Sequence, residues 1–183
     1  FGTVTKNPVA TGADLVAYGP FTTAAYLEQP YNSDLDFGTG DFCLLGWIKF
    51  TADNAYDPIL DRGYYTGGAY SGNGFNLISG ANNSITLKKN TTGILASGGL
   101  PTNVWTQLCV YRSSGVFYFY VNGELKSTAS NTLNYDNSNA TLRFGLSQAG
   151  TAANATNIAL WRISATAPSP EQIKKIYEDE KVL

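Results

Sequence analysis

Apolar and aromatic positions are densest from Trp105 to Thr128, in the stretch WTQLCVYRSSGVFYFYVNGELKST, where turn residues divide them into runs. A period of two marks strands, because successive side chains point to opposite faces of a sheet. The run breaks at Ser113-Ser114-Gly115 and again at Asn122-Gly123, which predicts two long strands and the start of a third. Asn-Gly suits a type I′ turn, whose two central residues both take positive φ. An even-length first loop puts Leu108, Val110, Phe117, Phe119 and Val121 on one face, and Cys109, Tyr111, Tyr118 and Tyr120 on the other. Both faces are apolar or aromatic, as in a central strand pair covered on both sides.

The same reading extends along the chain. Residues 1–13, rich in Gly, Thr and Asn, read as an extended N-terminal segment. Strands are expected at Asp14–Phe21, Ala24–Gln29, Asp41–Phe50, Pro58–Asp61, Phe75–Ser79, Ser84–Lys89, Ile94–Ala96, Thr141–Leu146 and Ile158–Ile163. Turn-rich pieces lie between them, notably Asn32–Gly40 and the loop Arg62–Gly74 (RGYYTGGAYSGNG). The one helix comes last. Ser169-Pro170-Glu171-Gln172 combines an N-cap Ser, Pro at the first helical position and Gln three residues after the cap. Ile173, Ile176 and Tyr177 form its apolar stripe, and Glu178 to Lys181 are expected to be solvated. About a dozen short strands with no helices interleaved predict an all-β antiparallel sandwich or jelly roll, organised as one domain over residues 1–183 with a helix at 169–181.

Composition narrows the functional classes. Twelve basic against fourteen acidic residues, with no basic cluster, give no electrostatic support for nucleic-acid binding. Histidine is absent, which removes the commonest general base and metal ligand. No apolar run is long enough to span a membrane. The chain starts at Phe1 and has no Met, so processing or excision from something longer is expected. Cys43 and Cys109 each fall inside an expected strand. They read as two buried thiols, with a disulfide open to them if those strands are neighbours. The sequons at Asn82, Asn90, Asn139 and Asn154 are what an Asn- and Thr-rich chain yields by chance.

The succession LVAYGPF, AYLEQP, LDFGTGDFCLLGWIKF, PILDRG, LPTNVWTQLCVYR, FYVNGELKSTAS and IALWRISATAPSPEQIKKIYEDEK resembles the laminin-G-like branch of the concanavalin A-like lectin/glucanase superfamily, from about Asp14 to Lys181. The resemblance implies a jelly roll of two antiparallel sheets whose concave face and rim loops often bind carbohydrate, sometimes through calcium. The segment Ala159 to Leu183 also resembles the ends of such domains in tail and other virion proteins of marine bacteriophages. Two departures bear on the implied calcium site: Ala159 stands where relatives carry Asp, and Thr106-Gln107 where they often carry His.

Catalysis finds little support in the residues. Glycoside hydrolysis needs two carboxyls flanking the scissile bond, and the hydrolases of this superfamily carry them as E-x-D-x-x-E or E-x-D-x-E along one strand. No such string occurs; Glu28, Glu124, Glu171, Glu178 and Glu180 are isolated or helical. Ser, Thr and Cys have no His to activate them. The run from Asp34 through Asp36 to Gly38 starts like a calcium loop, but the twelfth position is Leu45 rather than a bidentate Glu. Asp53, Asn54 and Asp57, with Asp61, could gather at a sandwich rim and hold calcium, or be ordinary loop residues.

Tyr64, Tyr65 and Tyr70 in the glycine-rich loop are the candidate ligand-binding residues. Exposed aromatic rings stack on the C–H faces of sugars, and Asp61, Arg62 and Asn73 stand ready for the hydroxyls. Two uses of these tyrosines stay open: ligand contact, or folding back over the sandwich or a neighbouring subunit. The resulting expectation is a non-enzymatic, lectin-like recognition module of a bacteriophage virion, binding carbohydrate or a host surface. Its competitor is a structural domain of the same particle, a capsid decoration or tail component. Other virion proteins, and a second copy of the chain in a homo-oligomer, are the expected protein partners; a secreted or cell-surface setting is the alternative to the virion.

Overall fold

The structure is a computed structural model that describes residues 1–11, 14–52, 57–154 and 156–181. Among these residues the chain forms fifteen strands and one α-helix: β1 (Lys6–Pro8), β2 (Val16–Tyr18), β3 (Leu27–Gln29), β4 (Phe42–Phe50), β5 (Pro58–Gly63), β6 (Tyr65–Thr66), β7 (Ala69–Tyr70), β8 (Phe75–Ser79), β9 (Ile85–Lys89), β10 (Thr92–Ala96), β11 (Thr106–Ser113), β12 (Val116–Val121), β13 (Glu124–Ser130), β14 (Thr141–Phe144), β15 (Thr156–Ser164) and α1 (Pro170–Glu180). They build a seven-stranded sheet, β1-β2-β15-β4-β11-β12-β13, facing a six-stranded sheet, β10-β9-β8-β5-β14-β3. Each pairing between these strands is antiparallel.

The organising hairpin has the expected register. Leu108 faces Val121, Val110 faces Phe119, and Arg112 faces Phe117. Ser114 and Gly115 close one loop and Asn122 and Gly123 the next, all four with φ between 49° and 77°, as type I′ turns require. The apolar set packs between the sheets against Leu60, Phe75, Leu77, Leu87 and Leu142. The opposite set, Cys109, Tyr111 and Tyr120, lies under Ile173 of α1. This double burial explains why β4 and β11 lack a polar face. Cys43 and Cys109 are free thiols with sulfurs 3.7 Å apart, and the contact with Cys43, with burial second, pushes the Cys109 thiol up.

Helix α1 starts as the sequence predicts. Ser169 Oγ accepts from the Gln172 N–H and Gln172 Oε1 accepts from the Ser169 N–H. Its far end departs from the expectation of a solvated tail. Glu180 accepts from the Trp47 indole N–H at 2.7 Å and pairs with Arg162, while Tyr177 stacks on Trp47. No described helix is long and apolar enough to cross a membrane.

One end of the sandwich is closed by two buried arginines. Arg112 donates to the carbonyls of Gly40, Leu133 and Gly38 at 2.6–2.8 Å, among the rings of Phe42, Phe117 and Tyr135. Arg62 donates to the Tyr135 carbonyl at 2.8 Å and pairs with Asp36. Burying two guanidiniums costs desolvation, which these fixed acceptors offset.

Candidate functional site

Helix α1 covers the outer face of the seven-stranded sheet, and it is the one α-helix among the described residues. The outer row of the six-stranded sheet is set by register: Lys88 pairs with Asn76, Asn76 with Asp61, Asp61 with Arg143, and Arg143 with Glu28. Above this row stands a small hairpin. The segment expected to be a plain loop folds as β6 and β7, turned by Gly67 and Gly68 with positive φ of 58° and 85°. Tyr65 and Tyr70 face each other edge to face at 5.5 Å. The Tyr65 hydroxyl donates to the Gly68 carbonyl at 2.6 Å, and Tyr64 is 38% exposed.

The six expected ligand-binding residues divide. Tyr64 and Tyr65 present surface. Tyr70 leans onto Gly63, where an added Cβ would meet its ring at 3.2 Å, and donates its hydroxyl to Asp61 at 2.5 Å. Asp61 is fully buried and also accepts from the Gln148 N–H at 2.9 Å; its other carboxylate oxygen has no protein partner. Burial raises its pKa to about 6, against the opposing pull of Tyr70, the Gln148 N–H, Arg143 and Asn76. Arg62 is 1% exposed and points between the sheets, because β5 runs two residues further than expected and alternation turns its side chain inward. Its guanidinium is committed to Asp36 and Tyr135. Asn73 ties the rim, donating to the Asp136 carbonyl at 3.2 Å and accepting from Asn137 at 2.7 Å. Asp61 and Arg62 are therefore frame, not rim donors.

The two described carboxylates of this row, Asp61 and Glu28, are each held by neighbouring side chains. A buried carboxyl with a raised pKa is a familiar feature of acid catalysts, but Tyr70 and Gln148 seal Asp61. Glu28 is held by Arg143 at 2.6 Å, with the Arg143 guanidinium stacked over Tyr26.

With two facing antiparallel sheets in place, comparison with known proteins decides the family. Residues 21–174 match a laminin-G-type family of the concanavalin A-like lectin/glucanases superfamily. The chain belongs to that family. No curated protein sequence matches it. Among solved structures, the laminin-G-like fold is similar to domain 4 of AbnA, a GH43 extracellular arabinanase from Geobacillus stearothermophilus, in complex with arabinotriose (TM-score 0.72, 17% identity, 97% of this chain and 82% of that one). It is also similar to the CBM40 of Ruminococcus gnavus IT-sialidase bound to α2,3-sialyllactose (0.63, 16%, 77% and 84%). A third likeness is to Trypanosoma rangeli sialidase with the inhibitor DANA (0.69, 11%, 97% of this chain), of which the chain spans 30%. At these identities the likeness shows the fold.

Within this laminin-G-like domain only Asp57 of the three expected calcium ligands lies among the described residues. Asp53 and Asn54 lie outside them. Asp57 precedes β5 and Asp61 sits near its far end, roughly 13 Å away along an extended strand. Burial raises the Asp57 carboxyl. Among the described residues no three His, Cys, Asp or Glu side chains gather. Ala159 is buried with Val9, Ala17 and Trp47 in an apolar cluster, a poor setting for the Asp that relatives carry.

Sequence reasoning missed a second concave feature. A groove of about 630 Å³ opens between the sheets beside β3, lined by Gln29, Asn32, Asp34, Phe144, Trp161 and Ser164 among others. A regular strand at Ile158–Ile163 would have set Trp161 on the same face as Ala159. Instead the register shifts between Ala159 and Arg162, with Leu160 at φ 52°, and Trp161 turns inward. Nothing in the local composition signals a leucine in the left-handed region.

Proposed function

We propose that this laminin-G-like domain is a non-catalytic carbohydrate-recognition module. The observation that carries the reading is the tyrosine hairpin left exposed on the six-stranded sheet, above a polar row whose carboxylates are already bonded within the protein. Tyr64 and Tyr65 supply flat rings for sugar C–H faces, while Asp61 and Glu28, the described carboxylates of this row, are each engaged within the protein. Two structural neighbours, an arabinanase domain in complex with arabinotriose and a CBM40 bound to sialyllactose, support the same reading. The resemblance of Ala159 to Leu183 to the ends of phage tail proteins extends the proposal to a surface module of a virion, assembled symmetrically with other virion proteins. Calcium is not needed for this reading.

A glycan array followed by calorimetry tests it. Wild type binds at least one glycan, and the double variant Tyr64→Ala/Tyr65→Ala binds it about tenfold more weakly, about 1.4 kcal/mol. A wild-type chain silent on every glycan would instead assign the exposed rings to contacts with protein.

A further inference from the structure

The groove between the sheets is built around one tryptophan. Three independent features hold Trp161 there. Leu160 occupies a backbone region that bulky residues avoid, and such strain persists where the surroundings over-determine it. Gly46 leaves room on β4: an added Cβ would lie 2.4 Å from the Trp161 ring, so no other residue fits beneath it. The indole N–H is tethered to the Trp47 carbonyl at 3.2 Å. Across the gap, Phe144 of the other sheet meets Trp161 at 5.5 Å and an interplanar angle of 61°. A bulge that re-aims a side chain is a recurrent device beside functional sites.

The rim adds polar groups to this aromatic floor. Gln29 and Asp34 are exposed and line the groove together with Asn32 and Ser164. The Asn32 side chain caps the Asp34 N–H at 2.9 Å, which fixes the short turn that carries Asp34. The opening persists because β3 is the last strand of its sheet, and Arg162 to Ser164 pair with β4 alone. Its volume lies within the range of small-ligand sites, about 300–1,000 Å³. Among the described residues that line it there is no Lys or Arg, and Asp34 supplies the formal charge.

We propose that this groove is a saccharide subsite selective for uncharged sugars. A sugar ring lies on the exposed parts of Trp161 and Phe144, and its hydroxyls donate to the Asp34 carboxylate and bond to Gln29 and Asn32. A carboxylate acceptor strengthens those bonds, and the same carboxylate repels a uronic or sialic acid that has no cation to pair with. The subsite rests on the carbohydrate reading given above. It is distinct from the tyrosine hairpin, which sits over β5, two strands and roughly 10 Å from β3.

The test uses the full chain with neutral trisaccharides (arabinotriose, xylotriose, cellotriose, maltotriose) and with lactose and α2,3-sialyllactose, followed by calorimetry and by the indole N–H signals of the three tryptophans. At least one neutral sugar should bind and shift the Trp161 indole signal, and sialyllactose should bind about tenfold more weakly than lactose. Gln29→Ala/Asp34→Ala, at two exposed positions, should weaken binding about tenfold with an unchanged unfolding midpoint. Trp161→Ala tests the floor, and the rim variant keeps the test decisive if that core-adjacent change unfolds the protein. Neutral-sugar binding that survives the rim variant within about twofold, or a preference for sialyllactose, overturns the subsite and leaves the carbohydrate reading standing. A chain that binds none of these sugars or any arrayed glycan overturns both.

Discussion

Asp61 and Arg62 are adjacent on β5, yet strand alternation sends them to opposite sides of one sheet and into opposite electrostatic situations. Arg62 enters the interior and meets a formed counter-charge. Burial alone would raise the Asp36 carboxyl, but the Asn137 N–H, the Tyr31 hydroxyl and Arg62 together hold it below its usual range. Asp61 faces outward but is sealed beneath Tyr70 and Gln148, with one oxygen unpartnered and its pKa raised to about 6. Its cross-strand neighbour Asn76 also has an unpartnered amide oxygen. One carboxyl favours its charged form, the other its neutral one. Two differences act together: Asp61 is fully buried whereas Asp36 keeps partial exposure, and the fold bonds a guanidinium directly to Asp36.

The largest effect is expected from breaking the satisfied side. Arg62→Met leaves Asp36 without its cation and the Tyr135 carbonyl without its donor. Truncating one partner of a buried pair costs about 3–5 kcal/mol, read as a lower urea midpoint at constant slope. A loss below about 1 kcal/mol would mean that the pair behaves as a surface contact and that the contrast with Asp61 is wrong.

The unsatisfied side should respond with the opposite sign. A carboxyl whose folded pKa is raised binds its proton more tightly in the fold. Its contribution to stability is therefore complete below the unfolded value of 3.8, declines as pH rises toward about 6, and stays low above. The gap corresponds to about 3 kcal/mol at roughly 1.4 kcal/mol per unit. Asp61→Asn removes that dependence. The variant should be about 3 kcal/mol more stable than wild type at pH 8 and nearly equal to it at pH 4, by denaturation across that range. Equal stability at both pH values would show that Asp61 is not desolvated.

The same pair shows what the sequence carries and what it does not. The turns at Ser114-Gly115 and Asn122-Gly123, the capping box at Ser169, and the two-sided burial of β4 and β11 are local or periodic, so the residues announce them. The end of β5 is neither. Asp61 reads as the last strand residue and Arg62 as the first of a flexible loop, and the partner that draws Arg62 inward lies 26 positions away at Asp36. The tyrosines were legible as a cluster, but the division between exposed Tyr64 and bonded Tyr70 depends on where a hairpin folds. The inward turn of Trp161 is not legible in the Ile158–Ile163 strand pattern, because a single left-handed leucine shifts the phase of β15. Each miss is a long-range or irregular event that overrides a local pattern.

Tyr70→Phe sharpens the comparison with the smallest change, one oxygen atom. At pH 8 the hydroxyl donates to an ionised carboxylate, a bond worth about 1.5–3 kcal/mol, whereas to a neutral carboxyl it is worth about 0.5–1.5. The variant should therefore lose about 2 kcal/mol at pH 8 and less at pH 4, the reverse of the pH profile expected for Asp61→Asn. Tyr70 pulls the Asp61 pKa down in the native protein, so its removal should move that titration above about 6 in a carboxyl-selective NMR experiment. The hairpin reports independently, because Tyr70 also packs on Gly63 and against Tyr65 through its ring, which phenylalanine keeps. A glycan bound through Tyr64 and Tyr65 should keep its affinity in Tyr70→Phe, since the change touches the bond beneath the hairpin and not its exposed surface. An unshifted Asp61 titration would mean that the hydroxyl does not reach the carboxylate, and that the tyrosine hairpin is anchored by ring packing alone.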